Sequence, residues 1–141
     1  MKEFYKDKTA RVYYDPEVDA LFLEYLGKVV NDAQFIQINT AVLEAFKLLQ
    51  TQKFVADIRK MGIISVASQK WVLDNLLPGM IKQLKGKTLY HAQLLDPAEI
   101  LSKVSAANIK SKSKQVSEGF EIIQFHDPKE LKQHLLKWKS Q

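Results

Sequence analysis

The 141-residue chain contains no cysteine. Disulfides, thiolate metal sites, iron–sulfur clusters and cysteine nucleophiles are therefore excluded together. Glycine and proline are scarce, at five and four residues. No glycine-rich loop follows any predicted strand, which argues against Rossmann or Walker phosphate binding. Arginine is scarcer still. Arg11 and Arg59 stand alone among 21 basic residues, and the net charge of +5 is mostly lysine. A nucleic-acid binder concentrates arginines and aromatics in a stripe, so the lysines read as solvated surface and no nucleic-acid partner is expected. No apolar run approaches the ~20 residues of a membrane span. The opening MKEFYKDKTA lacks the apolar core of a secretory signal, which predicts a cytoplasmic protein. His91, His126 and His134 are far apart in sequence. No metal-ligand spacing and no nucleophile–base–acid set emerges, so neither cofactor, metal nor catalysis is expected.

What is present is ordinary globular composition, 46% apolar and 26% charged. It fits one domain over 1–141 that buries a core without staples. TARVYY and ALFLEYLG flank the turn YDPEVD and read as an antiparallel hairpin. Asn31, with Gln34 three residues later, starts a helix whose apolar stripe is Phe35, Ile38, Val42, Phe46 and Leu49. KFVADIRK is a nearly continuous apolar strand. A helix from about Ser68 is interrupted at Pro78–Gly79, giving two short pieces or a kink, and closes at Gly86. KTLYHAQLL is the next strand, and DPAEILSKVSAANI is a helix capped by Asp96. SKSKQVSEG is a polar loop, FEIIQFH a strand, and DPKELKQHLLKW a helix capped by Asp127.

The order ββαβαβαβα predicts an α/β fold with a five-stranded mixed sheet, an N-terminal antiparallel hairpin and about four helices. In the fourth strand His91 and Gln93 share one face, and Tyr90, Ala92 and Leu94 the other. If every helix stacks on one side, the opposite face is semi-polar and open to a partner or a second copy of the chain.

This order, together with ADIRKMGIIS, Trp71, Pro78, YHAQLLDP and FHDPKELKQHLLKW, resembles the SpoIIAA-like fold of STAS domains. It is most similar to small STAS-like proteins of Bacteroidetes, over nearly the whole chain. A CRAL-TRIO-type lipid-binding branch shares that fold. The resemblance implies a non-enzymatic regulatory or protein-binding module with a protein partner. The alternative it implies is a carrier of a small apolar ligand, with a cavity of a few hundred Å³ between the sheet and the helices of residues 71–84. In phosphorylatable STAS domains a serine after the corresponding strand accepts phosphate. GIISVASQKW places Ser65 and Ser68 in that region, without the usual Asp-Ser-Ser-Gly core.

Asp57, Arg59, Lys60 and Trp71 are the candidate partner- or ligand-binding residues, and Ser65 and Ser68 the candidate phosphoacceptors. Each also has a purely structural reason to be there. Asp57 and Arg59, two apart on a strand, point to one side and can pair to brace the loop. Ser68 suits a helix N-cap, and Trp71 suits an apolar helix face. Their position at a strand's C-terminal end, where α/β folds bind ligands, marks the stretch as the place to look.

Overall fold

A computed structural model describes residues 1–113 and 122–138. The strands are β1 (Lys2–Lys6), β2 (Ala10–Asp15), β3 (Ala20–Tyr25), β4 (Lys53–Asp57), β5 (Tyr90–Leu94) and β6 (Ile122–Phe125). The helices are α1 (Asp32–Leu48), α2 (Val66–Trp71), α3 (Leu77–Gln83), α4 (Ile100–Ser113) and α5 (Pro128–Lys137). A π-helical turn, Val72–Leu76, joins α2 to α3 without a break.

Among the described residues the sheet has six strands rather than the expected five, in the order β1-β2-β3-β4-β5-β6. The additional one, β1, is an edge strand of sequence KEFYK, antiparallel to β2. Charged residues suit an edge because they discourage pairing with another chain, and they also hide the strand from a search for apolar alternation. β2 and β3 form the expected hairpin, and β3 to β6 run parallel.

Right-handed crossovers carry α1, the α2–α3 unit and α4 to one face. There Leu21, Leu23, Phe54, Ala56 and Ile122 meet Ile38, Val42, Phe46, Leu76, Leu77 and Met80 in the main core. α5 does not join this layer. It crosses to the other face, where Leu131 and Leu135 bury against Val55, Tyr90, Ala92, Leu94 and Phe125. The expectation of an uncovered second face is thus corrected. The apolar row of β5 supplies the seat of α5. The polar row of β5 faces the helical layer instead, with His91 and Gln93 both buried.

The expected interruption at Pro78 is not a break. Proline has no amide and clashes with the carbonyl four residues back. The chain absorbs this by widening: the Leu77 N–H bonds Val72 O, five residues back, as in a π-turn. Gly79 lies where a Cβ would fall 2.9 Å from Leu43 Cδ1 of α1, so its missing side chain lets α3 approach α1 closely. α4 continues through Ser113, so Ser111, Lys112 and Ser113 are helical rather than loop. The remainder of the expected polar loop, and the start of the last strand at 120–121, lie outside the described residues.

The caps at Asn31 and Asp127 follow sequence chemistry, whereas α4 begins only at Ile100 and Asp96 instead caps a turn, its Oδ1 accepting the Ala98 N–H at 2.9 Å. Asn31 Oδ1 accepts the Gln34 N–H at 2.8 Å, and Gln34 Oε1 accepts the Val30 N–H at 2.8 Å. Asp127 Oδ1 accepts the Lys129 N–H at 2.9 Å. Lys53 ties α5 down. Its ammonium is almost wholly buried and donates to Val18 O at 3.0 Å and to Leu135 O at 2.7 Å. The second bond meets the negative end of the α5 dipole.

Candidate functional site

Asp57 ends β4 and is buried. Two residues on, Arg59 turns its guanidinium back onto the carboxylate, with Nε to Oδ1 at 2.9 Å and Nη2 to Oδ2 at 2.8 Å. This is the bidentate fork that makes arginine pairs strong and directional. The hydrogen bond to Asp57 is the main reason that the Arg59 pKa is raised. The arginine's side chain stays 40% exposed, so the brace keeps one side toward solvent. Lys60 is exposed beyond it.

The chain then reverses at Gly62, whose φ of +74° is a left-handed conformation open to glycine at little cost. Met61 O accepts the Val29 N–H at 3.2 Å, which ties this loop to the β3–α1 loop. The two loops display Val30 and Ile63, and the first residue of α2 is Val66; the three are 76%, 57% and 72% exposed.

Ser65, not Ser68, is the N-cap of α2. Its Oγ accepts the Ser68 N–H at 3.0 Å, and the helix begins at Val66. Both hydroxyls donate to one oxygen, Asp32 Oδ1 in the first turn of α1, at 2.5 Å from Ser65 and 2.6 Å from Ser68. Those two bonds hold the Asp32 carboxyl below its ordinary pKa. The serines are nevertheless unlike one another. Ser65 is exposed, whereas Ser68 is 1% exposed. Trp71 is half-buried against the main core, so much of its surface is spent on packing.

The fold divides the candidate residues between two places. Ser65, Ser68 and Trp71 belong to the helical layer. Asp57 and Arg59 belong to the α5 face, where they join residues that were not singled out in the sequence. Pairing register aligns Arg11 with Glu24, and Glu24 with Asp57. Arg11 Nε donates to Glu24 Oε1 at 2.7 Å. The row Arg11, Glu24, Asp57 and Arg59 borders a cleft of about 260 Å³. Beside it Tyr13 and Phe22 stack face to face, with centroids 5.1 Å apart and planes 2° apart. The Arg11 guanidinium lies over the Tyr13 ring, 4.3 Å from its centroid. Val55 and Leu94 from the sheet and Leu131 and Leu135 from α5 also line the cleft. The sequence did carry a signal for this row. A four-residue turn at 16–19 places residue 11 opposite residue 24.

The cavity on the helical side, lined by His91, Gln93, Tyr25 and Asn39 among apolar neighbours, has a volume of about 30 Å³. That is the liquid volume of roughly one water, against the few hundred Å³ that a carrier requires. His91 is wholly enclosed. Its Nδ1 is 3.1 Å from Phe54 O, and its ring stacks on Phe54 at 4.7 Å. Because a carbonyl only accepts, Nδ1 carries the proton. Burial pulls the His91 pKa down to about 4, so the ring is neutral at pH 7.

Among the described residues no group of three or more His, Asp or Glu could hold a metal ion, and no helix is long and apolar enough to cross a membrane. The site chemistry is hydrogen bonding, ion pairing and stacking. No family model, no curated protein and no solved structure matches this chain.

Proposed function

We propose that this protein is a non-enzymatic, cytoplasmic regulatory module of STAS type that binds a protein partner through the loops at the C-terminal ends of β3 and β4. The observation that carries the reading is the exposed apolar trio Val30, Ile63 and Val66. It sits on two loops and the start of α2, cross-tied by the Val29–Met61 hydrogen bond and by the bonds from Ser65 and Ser68 to Asp32. Lys28 and Lys60 are exposed in the same loops. Apolar side chains rimmed by charge and held on a rigid support are the ordinary make-up of a docking surface.

Ser65 is the better phosphoacceptor of the two serines, since Ser68 is enclosed. A phosphate there would replace a hydrogen bond to Asp32 with like-charge repulsion, at the joint between the first turns of α1 and α2. Modification would thereby loosen the surface that carries the trio. The water-sized internal cavity gives the apolar-carrier alternative less support.

The test is affinity capture from native cells with wild-type protein and the Ile63→Asp/Val66→Asp variant, together with intact-mass measurement. The expected result is a stoichiometric partner that the variant loses while its circular dichroism is unchanged. A partner retained equally by the variant overturns the proposal. So does the absence of both a partner and a modification at Ser65.

A further inference from the structure

The cleft on the α5 face is lined by none of the docking trio and plays no part in that reading. We infer that it is a binding site for a small, flat, apolar monocarboxylate, such as an arylalkanoic acid.

Size limits the ligand first. About 260 Å³ equals the liquid volume of roughly nine waters and falls just below the ~300–1,000 Å³ of sites for drug-sized molecules. Shape and polarity come next. Stacked Tyr13 and Phe22, both half-buried, form its accessible aromatic wall, and the packed core side chains Val55, Leu94, Leu131 and Leu135 close it off beneath. A planar apolar body can lie along such aromatic and aliphatic walls, as ligands in concave sites do.

The charged end selects the head group. The row Arg11, Glu24, Asp57 and Arg59 is formally neutral, and Asp15 and Lys132 in the same lining also balance, so donor geometry rather than net charge selects the head group. Arg59 engages Asp57 through Nε and Nη2, and Arg11 engages Glu24 through Nε. Arg59 Nη1 and both Nη groups of Arg11 are left without a carboxylate among the described residues. Both carboxylates already hold an arginine. What the row still offers is donors in guanidinium geometry, which match a carboxylate. The two arginines of the whole chain both lie at this cleft, together with Lys132.

The row is also rigid before any ligand arrives. Arg11 is fixed by Glu24 and by Tyr13, and Arg59 by Asp57, so little side-chain freedom remains to be lost on binding. An amine would meet three cations, Arg11, Arg59 and Lys132, while Glu24 and Asp57 already hold an arginine each and Asp15 accepts the Glu17 N–H.

The experiment uses the full chain and three probes of one shape: 3-phenylpropionate, its amide 3-phenylpropionamide, and the amine 3-phenylpropylamine. Each is titrated to about 10 mM, the range of weak fragments, with aromatic and arginine side-chain NMR signals as readout. The carboxylate is expected to shift the Tyr13 and Phe22 rings and the Arg11 and Arg59 side chains. The amide should bind at least about tenfold more weakly, and the amine should give no saturable shift. Arg11→Gln should weaken the carboxylate about tenfold without changing the fold, as judged by circular dichroism. Comparing probes on the wild-type chain keeps the test decisive if that variant is unstable. The inference is overturned if the carboxylate does not bind, if amide or amine binds as well, or if the shifts map to the His91 side of the sheet. A peptide ending in phenylalanine, added as a fourth probe, distinguishes a chain terminus from a free acid. Binding tighter than 3-phenylpropionate would overturn the free-acid assignment.

Discussion

Buried neutral histidine makes the core sensitive to acid in a way that can be worked out from one residue. His91 is 3% exposed and its pKa falls from 6.5 to about 4 on folding. In the unfolded chain the ring protonates near pH 6.5, while in the fold it resists to about pH 4. The unfolded state therefore binds more protons between those values, and stability falls as pH falls. A depression of ~2.5 units at ~1.4 kcal/mol per unit sets a ceiling near 3.4 kcal/mol. Integrating the linkage gives a loss of about 0.8 kcal/mol by pH 6, about 2 by pH 5 and about 3 at pH 4. Against a typical total of 5–15 kcal/mol, this single ring removes between about a fifth and three fifths of the margin by pH 4. The assay is urea unfolding at pH 7, 6, 5 and 4 for the wild type and for His91→Gln, whose amide can still donate to Phe54 O. Subtracting the two removes the contributions of the carboxylates. The wild-type advantage should shrink by about 3 kcal/mol from pH 7 to pH 4. A difference that stays flat with pH would refute the reasoning, because it would mean that His91 titrates normally in the fold.

Three further outcomes follow from particular contacts. Lys53→Met leaves Val18 O and Leu135 O without their ammonium donor, so stability should drop by about 2 kcal/mol. Amide exchange should rise first in α5, and uniform exchange across the molecule would contradict a local tether. Gly62→Ala places a side chain at φ +74°, with its Cβ 3.3 Å from Lys28 Cγ. It should cost about 1–2 kcal/mol in urea unfolding, and an unchanged midpoint would show that the loop relaxes freely. Asp32→Ala removes the acceptor shared by Ser65 and Ser68, so amide exchange in the first turn of α2 should speed up. Protection equal to wild type would show that the Ser65 cap suffices alone.

Local chemistry was the legible part of this fold. Asn31 and Asp127 announced their helices because a cap involves residues three or fewer positions apart, and the Asp57–Arg59 fork spans two. The hairpin was readable for the same reason. β1 was not, because an edge strand pairs on one side only and its charges remove the apolar alternation. Ser65 and Ser68 both suit a cap. Ser65 takes the role because the helix begins at Val66, and the bonds of both serines to Asp32, 33 residues from Ser65, lie beyond any local pattern. The two faces of β5 were separated correctly, but which face met the helices was not. His91 and Gln93 look like outward residues until Phe54 O and Gln124 supply partners inside, the latter through its Nε2 to Gln93 Oε1 at 2.9 Å. The cleft depended on register across three strands together with the side chosen by α5, so only its Asp57–Arg59 corner was visible in advance.

The strand order carries a consequence of its own. Space and sequence coincide: every strand lies beside the one made just before it. A nascent chain can thus enlarge the sheet by accretion at a single growing edge, and no strand ever has to be inserted between two already paired. In the parallel part each new strand closes a loop of 31 to 37 residues onto its neighbour, less than an interleaved strand order would require. The exception comes last, when Lys53 reaches across 82 positions to Leu135. That contact seals the finished product. Pulsed hydrogen exchange during refolding should find the hairpin and β4 protected before α5, with the final helix closing over a sheet that is already built.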